Sequence, residues 1–198
     1  MHTIINKLNE SLVQDAQWNK LTSHNNRWSL DPVFKDYHKL GNKQKGVLGE
    51  EYTERLMLMM GSCVKPPKHT DYDRIIDGYK TEIKFSLAVS DSKKDVIIYD
   101  KFMINHIAKS KDWDRLLFVG INPPEGWNNV KRNKSNLSNK RCRAYFMEKE
   151  DFVKHMKTEK SSVFSHQQSG EKGKNDDYIC TKFSKFIELD FVKEIGEW

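Results

Sequence analysis

The chain has 198 residues, 37% of them hydrophobic and 31% charged, with a formal charge of +6 and a pI near 9.0. This size suits one well-buried core, and the longest apolar run, residues 56–60, is far short of the roughly 18 residues that a membrane span needs. The opening MHTIINKLNESLVQ lacks the basic and apolar regions of a signal peptide, and the three cysteines, Cys63, Cys142 and Cys180, fit neither a disulfide framework nor a paired zinc site, so a cytosolic protein with no membrane partner is expected.

Apolar residues Ile4, Ile5, Leu8, Leu12 and Val13 predict an amphipathic helix over residues 3–17. Residues 22–32 have the composition of a loop, anchored by Trp28 and Trp18. A second helix is predicted over residues 43–60, where Leu48, Tyr52, Leu56 and Met59 form one stripe and Gly61 supplies the stop. On a helical wheel Glu51 borders that stripe and Glu50 lies nearly opposite, which nominates Glu51 as the acid nearer the body of the protein. A short strand over 63–65 is stopped by Pro66-Pro67.

Residues 72–77 and 80–87 carry the β-branched and aromatic residues of strands, and the Asp77-Gly78-Tyr79 step between them is a tight-turn signal. A type II′ turn at Gly78-Tyr79 sets Asp73 opposite Lys84, whereas a type I′ turn at Asp77-Gly78 sets it opposite Glu82. In both registers Asp73, Glu82 and Lys84 converge on one face. Two carboxylates can hold a hard divalent cation such as Mg²⁺ through oxygen, and an ammonium can orient water or offset charge on a phosphorane-like transition state. These are the parts needed to hydrolyse a phosphodiester. The plain alternative is a solvated hairpin face whose ion pair contributes little.

Residues 91–95 form a polar turn and 96–99 a brief strand, and Phe102, Ile104 and Ile107 predict a helix over 102–110. The continuous apolar run RLLFVGI, 115–121, predicts a buried strand in the same sheet as Glu82, ended by Asn122-Pro123-Pro124. Further on, a strand is expected over 143–147, a helix over 149–157, a long polar loop over 165–177, a last strand over 178–180 and mixed structure over 183–194. Within NNVKRNKSNLSNKRCR, residues 128–143, stand Lys131, Arg132, Asn133, Lys134, Lys140, Arg141 and Arg143 with no acidic residue. Alone, such a run is a solvated loop; beside a phosphodiester-cleaving hairpin it suits nucleic acid, its cations meeting phosphates and its Asn and Arg meeting base edges.

This order of elements resembles the PD-(D/E)xK nuclease superfamily, the restriction-endonuclease-like fold, in which an acid opens the second strand of an αβββαβ core and Glu-x-Lys lies on the third. KGVLGEEYTERLMLMMG looks like the first helix, Asp73 in HTDYDRIIDG like the strand-opening acid, Glu82-Ile83-Lys84 in KTEIKFS like the third-strand motif, and FMINHIAKSKDWDRLLFVGINPP like the helix and fourth strand that follow. The match covers about residues 43–124 of a single domain, 1–198, with an N-terminal helical segment 1–42 and a C-terminal recognition elaboration from about 125 to 198. The fold it implies is α/β, a mixed sheet with helices on both faces.

The resemblance implies that Asp73 and Glu82 ligate Mg²⁺ with help from the backbone carbonyl of Ile83, and that Lys84 positions or activates the water. Gly49-Glu50 resembles the family's first-helix Gly-Glu step, which favours Glu50 where the wheel favours Glu51. Tyr72 stands where the family usually has proline, leaving Asp71 as a rival to Asp73. Small stand-alone members with an elaborated C-terminal region look like type II restriction endonucleases. That implies a homodimer cutting double-stranded DNA at a short specific sequence, with 126–143 and 165–177, including Gln167, Gln168, Lys172, Lys174 and Asn175, supplying base recognition. Another DNA nuclease of this fold, such as a junction resolvase or repair nuclease, and a DNA-binding module with an idle hairpin are the competing readings.

Overall fold

The computed structural model of the protein describes residues 2–15, 31–34, 37, 40–91, 96–124, 127, 130–131, 140–158, 161–167 and 177–197. Helix α1 (His2–Gln14) is followed by α2 (Asn42–Met59) and then by β1 (Val64–Lys65), β2 (Arg74–Ile76) and β3 (Tyr79–Leu87). After β3 come β4 (Ser90–Asp91), β5 (Val96–Ile98), β6 (Ile104–Ala108), β7 (Arg115–Ile121), β8 (Val130–Lys131) and β9 (Cys142–Glu148). Helix α3 (Lys149–Thr158), β10 (Phe164–His166), β11 (Asp177–Cys180), α4 (Phe183–Phe186) and β12 (Val192–Glu197) complete the chain. The fold is mixed α/β. Its centre is a six-stranded mixed sheet in the order β1-β2-β3-β7-β9-β12, and the expected loop anchors Trp18 and Trp28 lie outside the described residues.

The β2–β3 hairpin settles its own register. Asp77 (φ 51°) and Gly78 (φ 91°) both lie in the left-handed region, the signature of a type I′ turn, and the pairs Ile76–Tyr79 and Arg74–Thr81 follow. Continued by one residue, that register sets Asp73 opposite Glu82. On its other side β3 pairs in parallel with β7 from Thr81–Arg115 to Leu87–Ile121, so the apolar run 115–121 is the expected buried strand beside Glu82. The strand β7 then pairs antiparallel with β9, and β9 with β12.

Side chains along β3 alternate. Phe85 meets Phe34, Tyr37 and Tyr52 beneath α2, with ring centroids 5.5–6.0 Å apart, so Thr81, Ile83, Phe85 and Leu87 share the helix-covered face. Glu82, Lys84 and Ser86 share the other. On that second face Phe118 of β7 packs against Phe102, Phe183 and Phe186, and Phe164 links Phe186 to Phe152 of α3. Helices therefore cover both faces of the sheet. Among the described residues no helix is long and apolar enough to cross a membrane.

The approach of α2 to β3 depends on Gly49. A Cβ built there lies 2.4 Å from the Cβ of Phe85, whereas one at Gly46 meets nothing within 4 Å. The buried side of α2 is accordingly Leu48, Gly49, Tyr52, Thr53, Leu56 and Met57, while Met59, expected in the apolar stripe, is exposed. Overpacking costs about 1–3 kcal/mol against a helix-propensity gain of about 1 kcal/mol for Gly to Ala, and Phe85 Cβ cannot rotate away. Gly49→Ala is therefore expected to lower the melting temperature and Gly46→Ala to raise it. A thermal melt of the two variants beside the parent checks both signs.

The segment 102–110 is not the expected helix. Residues 104–108 form β6, paired antiparallel with β11 in a separate three-stranded sheet, β10-β11-β6. Ile107 pairs with Tyr178 and Ile104 with Cys180, so Asn105 and His106 together oppose the single Ile179. This bulge turns both Ile104 and Ile107 inward, and a spacing of three that suggested a helical turn is the signature of an extra residue in a strand. The polar stretch 165–177 likewise begins in β10 and ends in β11, with residues 168–176 outside the described set.

Candidate active site

Strand β2 pairs with β3 only as far as Arg74–Thr81, so from Glu82 onward β3 has an open edge. The gap is partly bridged by Asp73: its N–H donates to the Thr81 carbonyl at 3.0 Å, and its Oδ2 accepts from the Ile83 N–H at 2.7 Å. Within a strand the N–H and C=O of one residue leave on the same side, so the Ile83 carbonyl faces this open edge as well. A cleft of about 380 Å³ lies here, lined by Asp73, Glu82, Ile83 and Lys84, by Glu50 of α2, and by Asn105, His106 and Lys111 from the other side. The three residues of the hairpin motif are thus brought together, with Glu50 beside them.

Glu82 is the centre of the charge arrangement. Its side chain is only 1% exposed, and its Oε1 accepts from Lys84 Nζ at 2.7 Å and from Lys111 Nζ at 3.2 Å. Its Oε2 is buried with no hydrogen-bond partner. An ionised oxygen left dry and unpaired is costly, and a cation in the cleft would satisfy it. Burial, and then the negative charge of Glu82, hold the Asp73 carboxyl above its usual range against the opposing Ile83 hydrogen bond. Glu50 is also raised, first by burial and then by Asp73, although Arg74 Nη1 donates to its Oε2 at 3.2 Å.

The two candidate acids of α2 separate clearly. Glu50 lines the cleft. Glu51 turns toward α1, where its Oε1 lies 2.8 Å from Arg55 Nη2, which also meets Asp15 at 2.7 Å. The side chains of Glu50 and Glu51 are equally exposed, 28% and 29%, so what separates them is direction, which a single apolar stripe cannot give because it ignores Gly49, the point where α2 meets the sheet. Asp71, the rival of Asp73, sits 3.5 Å from His69 Nδ1 and does not line this cleft.

The expected DNA-contacting residues fare unevenly. Lys131 is exposed at the end of β8, and Lys140 is half-buried, its carbonyl accepting from Tyr99 Oη at 2.7 Å. Arg141 and Arg143 are corrections. Arg141 pairs with the buried Asp31 and donates to the Asn122 carbonyl, and Arg143 is 7% exposed and meets Asp100 Oδ2 at 3.0 Å. Both guanidiniums serve the interior, because each neutralises a carboxylate that has no access to water. Arg132, Asn133 and Lys134 lie outside the described residues.

Several cleft residues were not nominated by sequence, Lys111 and His106 among them. Lys111 has no local signal that sets it apart among 34 Lys and Arg residues; only the β6–β7 connection brings it to Glu82. His106 was hidden by the helical reading of its segment. Neither has a spacing motif with Glu82 or Lys84.

The donor set suits a small hard cation. Among the described residues no three His, Cys, Asp or Glu side chains form a ready-made cage. Mg²⁺ commonly uses one or two carboxylates and completes its octahedron with water and substrate phosphate oxygens. Asp73, Glu82 with its unpartnered oxygen, and the Ile83 carbonyl match that requirement. Compared with known proteins, the chain matches no family model, no curated protein and no solved structure.

Proposed function

We propose that the protein is a Mg²⁺-dependent endonuclease of the PD-(D/E)xK type, cleaving double-stranded DNA at a short specific sequence as type II restriction endonucleases do. The observation that carries this reading is the convergence of Asp73, Glu82 and Lys84 at the open edge of β3, with one Glu82 oxygen buried and unpartnered. The topology supports it: helix α2, then three antiparallel strands, β1 to β3, then a parallel neighbour, β7. The departure from the family pattern is β6, a strand in the place of the helix before β7.

Asp73, Glu82 and the Ile83 carbonyl would hold Mg²⁺, which when bound polarises the phosphate and lowers the pKa of a water ligand. Lys84, fixed by Glu82 on the same face, supplies positive charge where the attacking water and the non-bridging phosphate oxygens meet. The buried position of Glu82 limits the screening of its charge by bulk water. Lys131, Lys140 and the segments around 126–143, apart from the inward-held Arg141 and Arg143, and 165–177 would contact the DNA, and a homodimer would present two clefts to a twofold-symmetric site.

The test is incubation of the protein with Mg²⁺ and a long natural duplex DNA containing most short sequences. Discrete fragments ending at one sequence are expected, together with a higher melting temperature in Mg²⁺ as the ion relieves the carboxylate repulsion. Cleavage at branched or damaged DNA alone would move the protein to the resolvase or repair nucleases. Intact DNA under all conditions would leave a DNA-binding module with an idle hairpin.

A further inference from the structure

Glu82 receives two ammoniums on one oxygen and none on the other. Lys84 Nζ and Lys111 Nζ lie 2.7 and 3.2 Å from Oε1, whereas Oε2 is buried without a partner. Neutralising Glu82 requires only one of them, and Lys84, nearer and 16% exposed, is the better counter-charge. A second cation serving the carboxylate alone would gain more at the empty Oε2 than beside another ammonium on Oε1, where like charges repel. Lys111 is instead 37% exposed and lines the cleft. One of its three N–H donors is engaged, so two are left without an acceptor among the described residues.

The connection that carries Lys111 from β6 to β7 is pinned along its length. The Lys111 carbonyl accepts from Lys149 Nζ. Beside it, both carboxylate oxygens of Asp112 accept from Lys80 Nζ, at 2.9 and 2.8 Å, and the Asp114 N–H donates to the Lys80 carbonyl at 2.8 Å. Trp113, 1% exposed, donates from Nε1 to the Ala108 carbonyl at 2.8 Å and closes the turn. Lys111 therefore reaches the Glu82 face from a fixed backbone, with less freedom to lose on meeting a ligand. Charge points the same way. The cleft holds three acids, Asp73, Glu82 and Glu50, and a phosphodiester already carries one negative charge, to which attack by hydroxide adds a second. Against that, Lys111 doubles the number of ammoniums on the Glu82 face.

We infer that Lys111 is a second catalytic lysine, whose ammonium meets a non-bridging oxygen of the scissile phosphate from the wall opposite α2, using the donors that Glu82 leaves free. The inference rests on the nuclease reading and deepens it. No proton has to move. The ammonium donates to Glu82 through one N–H and to the phosphate through another, and the second contact tightens as negative charge builds on that oxygen.

The experiment uses the full chain with Lys111→Ala, Lys111→Arg and, as a control from the same connection, Lys109→Ala, a residue that does not line the cleft. Cleavage of long duplex DNA in Mg²⁺ is followed at several DNA concentrations, binding in Ca²⁺ is titrated with salt, and thermal melts are recorded. Lys111→Ala is expected to lower kcat on the order of 10²-fold, with KM changed less and the salt slope reduced by about one. Lys111→Arg, which keeps the charge, should recover most of the rate, and Lys109→Ala should cut as the parent does. The melting temperatures should stay near that of the parent, because Lys84 still holds Glu82. Parent kcat and salt slope in Lys111→Ala, while the parent cuts DNA, would overturn the inference and leave the nuclease reading standing. A lowered melting temperature in Lys111→Ala with an unchanged salt slope would equally overturn it, assigning Lys111 to holding Glu82. An equal loss in Lys109→Ala would also overturn it, tracing the effect to the general charge of the connection. A parent protein that neither binds nor cuts duplex DNA overturns both.

Discussion

Glu82→Ala and Lys84→Ala are each expected to abolish detectable Mg²⁺-dependent cleavage while the protein stays folded and still binds DNA. Removing one preorganised group that meets developing charge lowers turnover by about 10²–10³-fold in other hydrolases, and Glu82 additionally supplies a metal ligand. Because these contacts strengthen in the transition state, the loss should fall on kcat and not on KM. Lys84→Ala leaves Lys111 on the same Glu82 oxygen, 3.2 Å away, so the buried carboxylate keeps a counter-charge and the fold should hold. Glu82→Ala instead frees Lys84 and Lys111, whose side chains are 16% and 37% exposed and can turn toward solvent or phosphate. In metal-free buffer that variant should bind DNA more tightly than the parent, since one carboxylate no longer repels phosphate. Ca²⁺ should support binding without efficient cutting, its looser and larger coordination shell being a poor match for a site suited to octahedral Mg²⁺. Gel analysis of cleavage, with binding measured in parallel, tests all of this. Near-normal cutting by either alanine variant would reduce the hairpin face to ordinary surface.

The hairpin was legible because its information is local: period-two alternation, a turn dipeptide and a Glu-x-Lys step lie within sixteen residues, 72–87. Sequence left two registers open, and the positive φ of both Asp77 and Gly78 selects between them. What stayed illegible depended on distant partners or on an irregularity. A bulge makes Ile104 and Ile107 of a strand imitate one turn of a helix. Gly49 carries no side chain to count in a helical wheel, yet its missing Cβ is what seats α2 on Phe85 and thereby aims Glu50 at the cleft. Arg141 and Arg143 lie in a basic run that looks solvated, and the acids that draw them inward, Asp31 and Asp100, are 110 and 43 residues away. Charge counted along the chain could not anticipate pairing across the fold.

Arg143→Ala is expected to be among the most destabilising single substitutions in the protein, although it lies outside the cleft. The guanidinium Nη1 meets Asp100 Oδ2 at 3.0 Å, with the two side chains 7% and 0% exposed. Its Nε and Nη2 donate to Tyr145 Oη at 3.2 and 2.5 Å. Asp100 in turn accepts from Asn122 Nδ2 through Oδ1 at 2.6 Å, and its N–H donates to Asn122 Oδ1 at 2.8 Å. This network joins the turn after β5, the end of β7 and the start of β9, with Asp100 itself at φ 55°. Removing one member of a buried ion pair costs about 3–5 kcal/mol, because the other charge remains buried and uncompensated. For a chain of this length, 1 kcal/mol shifts the melting temperature by about 2–4 °C, so a drop of roughly 10 °C is expected. The sign of the cause can be separated from the loss of packing by removing both charges. Asn at position 100 tolerates the left-handed backbone and can keep the Asn122 hydrogen bonds, and Met fills much of the space of an arginine stem. The double substitution Asp100→Asn with Arg143→Met should therefore recover most of the stability lost in Arg143→Ala, since replacing a buried pair as a unit is often close to neutral. Equal melting temperatures for the parent and Arg143→Ala would show that the pair contributes nothing, and a double variant no better than Arg143→Ala would show that the orphaned charge is not the cause.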